Sequence, residues 1–122
     1  MFKLLAKPLK SEDQDAIVSG KLAWILSQVS PQRVILFGSA ASHQMTDASD
    51  VDLIVTFATP EDRDRSRILL FKSRPKDDWP HDLILMTEAE FSHSAAQGGG
   101  AAYVASKEGR VLYHSGVSHE SA

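Results

Sequence analysis

Residues 37–55 read FGSAASHQMTDASDVDLIV and combine a Gly-Ser pair with two closely spaced aspartates. Asp50 and Asp52 alternate with apolar residues at the start of a run that predicts a strand over 50–57. Because residues two apart on a strand project to the same side, both carboxylates should point toward one place, together with Ile54 and Thr56. The opposite face should carry Val51, Leu53, Val55 and Phe57. Two carboxylates this close repel each other and resist burial, so the pattern indicates a site for a divalent cation.

A third acidic residue repeats this pattern later in the chain. Asp82 lies at the start of HDLILM (81–86), a segment that also predicts a strand. If the two strands are neighbours, the three carboxylates meet at one edge of the sheet. Magnesium prefers oxygen ligands and completes its shell with water and substrate phosphates. Asp50, Asp52 and Asp82 are therefore candidate ligands of a two-metal phosphoryl-transfer site, in which Asp82 is also a candidate general base.

The Gly-Ser pair is a candidate phosphate-binding turn. Gly38 ends the apolar run RVILFG (33–38), which predicts a short buried strand. A glycine at such a turn lets the backbone approach a phosphate closely, and the Ser39 hydroxyl and nearby N–H groups can donate to its oxygens. The turn is not a Walker A loop, because the flanking glycine and lysine are absent.

Helices and strands alternate on both sides of this stretch. Apolar residues of 11–30 recur at helical spacing, Ser11 and Gln14 form the pattern of a capping box, and Pro31 ends the helix. The same criteria predict helices over 40–44, 59–73, 87–95 and 101–109 and a last strand over 110–113. Thr87 and Glu90 form the pattern of a second capping box at the start of 87–95. The alternation predicts an α/β (α+β) fold, a small mixed β-sheet with helices packed on at least one face.

The composition fits one small domain. The chain has 122 residues, of which 43% are hydrophobic and 24% charged, so it can bury one core but has little room for a second lobe. A net charge of −3 argues against an extensive nucleic-acid surface. Because no cysteine is present, disulfides and thiolate metal sites are excluded.

The two ends of the chain support a simple domain organisation. The apolar stretch in MFKLLAKPLK is too short and too interrupted for a signal peptide, and no run is long enough to span a membrane, so we expect a cytoplasmic protein. We expect a single domain over residues 1–114 and a flexible tail over residues 115–122.

The spacing of these motifs resembles the signature of a known superfamily. Gly-Ser, ten residues and then Asp-x-Asp, with HDLIL further on, is similar to the DNA polymerase beta-like nucleotidyltransferases and to their minimal members, the MNT domains. The resemblance covers roughly residues 33–90 and implies the nucleotidyltransferase fold. It implies that Gly38 and Ser39 hold the nucleotide phosphates, that Asp50 and Asp52 bind magnesium, and that Asp82 completes the site.

The resemblance also implies a reaction and a partner. The expected reaction is magnesium-dependent transfer of a nucleoside monophosphate, AMP from ATP, onto an acceptor hydroxyl. Minimal members commonly resemble the antitoxin half of a toxin–antitoxin pair, whose partner is an all-helical HEPN-domain ribonuclease that carries the modified hydroxyl. Such a short chain leaves little surface for recognising an acceptor, which favours a protein partner.

Two other functions are consistent with the sequence. Many relatives place an arginine shortly after Gly-Ser, whereas this chain has AASH (40–43). The difference favours a binding module that neutralises a helical partner by contact alone, unless Arg74 or Lys76 supplies the missing charge. Transfer to a small molecule such as an aminoglycoside is the other alternative, although relatives with that activity carry an added helical domain. Trp79 is interpreted either as a base-stacking residue or as a loop anchor.

Overall fold

The computed structural model describes residues 5–75, 77 and 79–116. The four helices of this part are α1 (Ser11–Gln28), α2 (Pro60–Lys72), α3 (Glu88–Ala96) and α4 (Gly100–Glu108). The strands are β1 (Arg33–Phe37), β2 (Val51–Phe57), β3 (His81–Thr87) and β4 (Arg110–His114). A 3₁₀ turn over Gly38–Ser42, called the Gly-Ser turn below, follows β1 directly. The elements occur in the predicted order.

The four strands form one mixed sheet in the order β3-β2-β1-β4. Strand β1 is antiparallel to both of its neighbours, whereas β2 and β3 are parallel and are joined by α2. Side chains of α1 and α2 pack on one face of the sheet, and side chains of α3 and α4 pack on the other. The mixed sheet was predicted, and the structure adds that helices cover both of its faces.

Alternation along β2 determines which face each of its residues meets. Val51, Leu53, Val55 and Phe57 belong to the core formed with α1 and α2. Ile54 packs instead with side chains of α3 and α4. Because residues two apart on a strand share a face, Asp52 projects toward the side of the sheet that Ile54 faces.

The beginning of α1 differs from the predicted capping box. Lys10 is the N-cap residue and makes no side-chain cap hydrogen bond, so Ser11 is already the first helical residue. Gln14 is buried: its amide nitrogen donates to the carbonyl oxygens of Leu9 (2.9 Å) and His43 (3.2 Å). Its amide oxygen accepts the backbone N–H of Met45 at 3.2 Å. Gln14 therefore fixes the loop that follows the Gly-Ser turn rather than capping its own helix.

Threonine side chains cap the helices on either side of β3. Thr59 caps α2, and Thr87 with Glu90 forms the predicted capping box of α3. No helix in the described part of the chain is long and apolar enough to cross a membrane. At the start of the predicted tail, the Ser115 N–H donates to the carbonyl oxygen of Gln32 at 2.8 Å, whereas 117–122 and Lys76 lie outside the described residues.

Candidate active site

The register of the sheet brings the predicted acidic residues Asp50, Asp52 and Asp82 to one end of the sheet, called the acidic edge below. Asp52 lies opposite Asp82 on the parallel strand β3 and opposite Phe37 on β1, and Asp50 immediately precedes β2. Paired residues on adjacent strands are roughly 4.8 Å apart along the hydrogen-bonding direction. Because β1 ends at this edge, the Gly-Ser turn lies beside the same carboxylates.

The Gly-Ser turn touches one of these carboxylates directly. Gly38 has a φ of +74°, a value that residues with a Cβ rarely adopt. A Cβ added at Gly38 would lie 2.4 Å from Oδ2 of Asp52 and 3.3 Å from its Cγ. Ser39, the next residue, is half-buried. The structure thus brings the candidate phosphate-binding turn into contact with Asp52, one of the three candidate metal ligands.

The charge of Asp52 is uncompensated. This side chain is half-buried, and burial raises the pKa of its carboxyl group; the nearby charges of Asp50 and Asp82 and a hydrogen bond with Asp50 raise it further. No cationic side chain in the described ranges forms an ion pair with any of the three aspartates. Negative charge is therefore concentrated at this edge without a partner.

Glu88, a half-buried acid at the opposite end of the sheet, differs from Asp52 because it forms an ion pair with Arg33. Burial by itself would raise the pKa of Glu88, but hydrogen bonds from Arg33 and Thr56 outweigh it, and the pKa is lowered. Arg33 donates to both carboxylate oxygens of Glu88, at 2.7 and 2.9 Å. This acid is thus paired, whereas no described cationic side chain pairs with Asp52.

The donor chemistry of the acidic edge fits magnesium. Repulsion from Asp50 and Asp82 adds to the effect of burial in raising the pKa of Asp52, and a divalent cation would offset that repulsion. An oxygen-only set of carboxylates suits magnesium better than softer metals. Over the part of the chain that the structure describes, no three acidic or imidazole side chains already surround one point as metal ligands.

A buried lysine, which was not predicted from the sequence, holds the loop before β3. Lys21 on α1 is 0% exposed. Its Nζ donates to the carbonyl oxygen of Trp79 and lies 2.9 Å from Oδ1 of Asp77 and 3.0 Å from Nδ1 of His81. The pKa of His81 is lowered by burial and by the Lys21 charge. This network ties α1 to the residue that precedes Asp82.

Trp79 links the two loops that lead into the acidic edge. Its indole Nε1 donates to the carbonyl oxygen of Ser49 at 2.9 Å. Ser49 directly precedes Asp50, and Trp79 lies three residues before Asp82. Of the two interpretations from sequence, the structure supports the loop anchor rather than the base-stacking residue.

The position of Lys21 in the sequence did carry a usable signal. Lys21 lies between Val18 and Ile25 at the helical spacing of the apolar face of α1. A lysine on an apolar face either extends its amine to solvent or is paired with buried acceptors. The sequence raised that question but did not identify Trp79, Asp77 and His81 as the partners.

A cavity of about 550 Å³ lies apart from the acidic edge, between α2 and β3. Its apolar lining includes Trp24, Leu70, Phe71 and Leu83, and Arg74 also lines it. His81 lines one part of it, but none of the three aspartates or the Gly-Ser residues does. The structure therefore places Arg74, a candidate from the sequence for the missing positive charge, at this cavity.

Comparisons with known proteins agree with this architecture. Residues 21–116 match the family model described as polymerase beta, nucleotidyltransferase. A comparison with curated protein sequences finds no match. A Sulfolobus solfataricus protein assigned as a nucleotidyltransferase superposes with a TM-score of 0.57 at 20% identity, over 89% of this chain and 92% of its own. That likeness confirms the predicted fold, and the family match covers most of the chain, which therefore belongs to the polymerase beta nucleotidyltransferase family.

Proposed function

We propose that this nucleotidyltransferase transfers AMP from ATP to a hydroxyl group of a helical partner protein in a magnesium-dependent reaction. The observation that carries the proposal is the uncompensated carboxylate of Asp52, which packs on Gly38 and lies in register with Asp82. A site that concentrates negative charge beside a phosphate-binding turn suits cation-assisted phosphoryl chemistry.

Each residue of the site has a role in this proposal. Asp50 and Asp52 hold magnesium, which when bound offsets the negative charge of the phosphates. Gly38 and Ser39 position the phosphates through the backbone and the serine hydroxyl. Asp82 accepts the proton of the acceptor hydroxyl as its oxygen attacks the α-phosphorus. The bond from that phosphorus to the bridging oxygen breaks, and pyrophosphate leaves with the electron pair.

A protein acceptor is supported by the apolar surface beside the site. Phe71 on α2 is 84% exposed and lines the cavity that reaches His81, and Ile68, three residues earlier on the same helix, is 56% exposed. β3 is an outer strand of the sheet, paired only with β2 among the described strands. An exposed apolar surface that leads to the residue before Asp82 favours a docked protein over a small molecule. We propose a HEPN-domain toxin as this partner and an antitoxin role for the chain.

The proposal is tested by incubating the protein with ATP, magnesium and a helical protein encoded by the adjacent gene. Intact-mass spectrometry should show one or more AMP adducts on the neighbour, and the adducts should disappear with Asp50→Asn. If both forms bind the neighbour equally and neither produces an adduct, the chain is instead a binding module that acts by contact.

Replacing Phe71 with serine should separate acceptor recognition from nucleotide binding. Because its side chain is almost fully exposed, the change should leave folding and ATP affinity nearly unaltered. Adduct formation on the helical partner should fall about 10-fold or more at low partner concentration, in line with the loss of an aromatic anchor. Val104→Ser, an exposed apolar position on α4, is the matched control. Equal adduct rates for both variants would show that the partner docks elsewhere.

A further inference from the structure

The acidic edge needs a positive charge that the surrounding sequence does not contain. A bound triphosphate adds several negative charges to those of three aspartates, more than two divalent cations offset. No lysine or arginine occurs between Arg33 and Arg63, a stretch that includes the whole Gly-Ser turn and both aspartates of the Asp-x-Asp pair. A protein cation at the Gly-Ser turn would therefore come from another part of the chain.

Strand β4 brings such a cation to the same end of the sheet, on the face that Leu36 shares with α1 and α2, which is opposite to the face toward which Asp52 projects. Arg110 is its first residue and pairs with Leu36, two residues before Gly38. Because β4 is antiparallel to β1, the strand begins where β1 ends. Gly109 fixes this approach: an added Cβ would lie 2.9 Å from the carbonyl oxygen of Leu36 and 2.5 Å from that of Ala105. The backbone before Arg110 is thus held tightly against β1.

The guanidinium group of Arg110 lies against the Gly-Ser turn. Its Nη2 is 3.4 Å from the carbonyl oxygen of Ala40, which is a long and weak hydrogen bond. The residue is exposed, and the described residues include no carboxylate paired with it. A guanidinium carries five N–H donors in a planar fork that matches phosphate oxygens, so most of its donors remain available.

We propose that Arg110 binds the triphosphate tail of the nucleotide across the Gly-Ser turn. This inference rests on the proposed function and extends it by assigning the cation that the turn itself lacks. Arg110 contacts the phosphates, whereas Lys21 acts only by positioning the loop before β3. The sequence-based candidate Arg74 lies at the cavity between α2 and β3, which none of the five predicted site residues lines.

Isothermal titration with ATP and with AMP, each with magnesium, tests the assignment. Arg110→Ala should weaken ATP binding about 10- to 100-fold, the loss expected for charge-assisted hydrogen bonds to phosphate. AMP binding should change less than about twofold, because AMP lacks the β- and γ-phosphates. Arg110→Lys should recover part of the ATP affinity, since lysine keeps the charge but not the bidentate geometry. Arg65→Ala, an exposed arginine paired with Asp62 on α2, is the matched control.

The outcomes separate this inference from the function on which it rests. If the wild-type protein binds neither nucleotide with magnesium, the proposed function fails and the inference fails with it. If the wild type binds ATP and Arg110→Ala binds it equally well, only the assignment of Arg110 is overturned. Equal losses of ATP and AMP affinity, with a lowered Tm, would likewise overturn it by showing a structural role.

Discussion

Replacing Asp52 with asparagine is expected to abolish most nucleotidyl transfer and, at the same time, to raise the thermal stability of the protein. In the proposed reaction this carboxylate holds a cation at the phosphates, so its loss should reduce the transfer rate on the order of 10²–10³-fold. The same carboxylate is repelled by Asp50 and Asp82 in the folded protein. Removing its charge relieves that repulsion, and in EDTA we expect Tm to rise by a few degrees.

The difference in Tm between Asp52→Asn and the wild type should depend on pH, in a direction that the raised pKa of Asp52 determines. Because the pKa of Asp52 is raised in the folded state, the folded protein binds a proton there more readily than the unfolded chain does. The stabilisation from that protonation is complete below the unfolded pKa and is lost as pH rises through the folded pKa. The Tm of Asp52→Asn should therefore exceed that of the wild type more at neutral pH than at acidic pH.

Asp64→Asn is a suitable control for this experiment. Asp64 is a surface residue of α2 whose pKa is lowered, chiefly by a hydrogen bond from Arg63. Its neutralisation removes a favourable interaction rather than a repulsion, so Tm should stay level or fall, with transfer unchanged. A Tm for Asp52→Asn below that of the wild type at neutral pH in EDTA would contradict the electrostatic account of the site.

Gly38→Ala should eliminate most activity through a single added methyl group. The Cβ would lie 2.4 Å from Oδ2 of Asp52, whereas ordinary contact begins at 3.4 Å, so the carboxylate or the turn has to move by about 1 Å. A displacement of about 1 Å at a reacting centre can lower a rate by about 100-fold. The left-handed backbone at this residue adds a stability cost of about 1–2 kcal/mol.

Gly98→Ala separates these two effects. Gly98 has a φ of +80°, close to that of Gly38, but nothing lies within 4 Å of an added Cβ. Both variants should lose the stability that the left-handed backbone costs in urea unfolding, and only Gly38→Ala should also lose transfer activity and magnesium-dependent ATP binding. Activity in Gly38→Ala equal to that in Gly98→Ala would show that the contact between Gly38 and Asp52 is unimportant for the reaction.

Much of the fold was predictable because its patterns are local. Alternation along 50–57 predicted the correct faces of β2, and Thr87 with Glu90 predicted the correct start of α3. The prediction failed where a tertiary partner competed with a local one. Gln14 matched a capping box by spacing, but its side chain bonds instead to Leu9, His43 and Met45, which a sequence pattern does not bring together.

The sequence by itself determined the family signature, the strand region that carries Asp50 and Asp52, and the glycine that ends β1, because these depend on residues close together in the chain. Only the tertiary structure decided that Asp82 lies in register with Asp52, that Lys21 holds the loop before β3, and that Arg110 reaches the Gly-Ser turn. The register of the strands and the pairing of buried polar side chains are set only when the strands assemble and the core packs. Seventy residues separate Arg110 from Ala40, and no local pattern connects them.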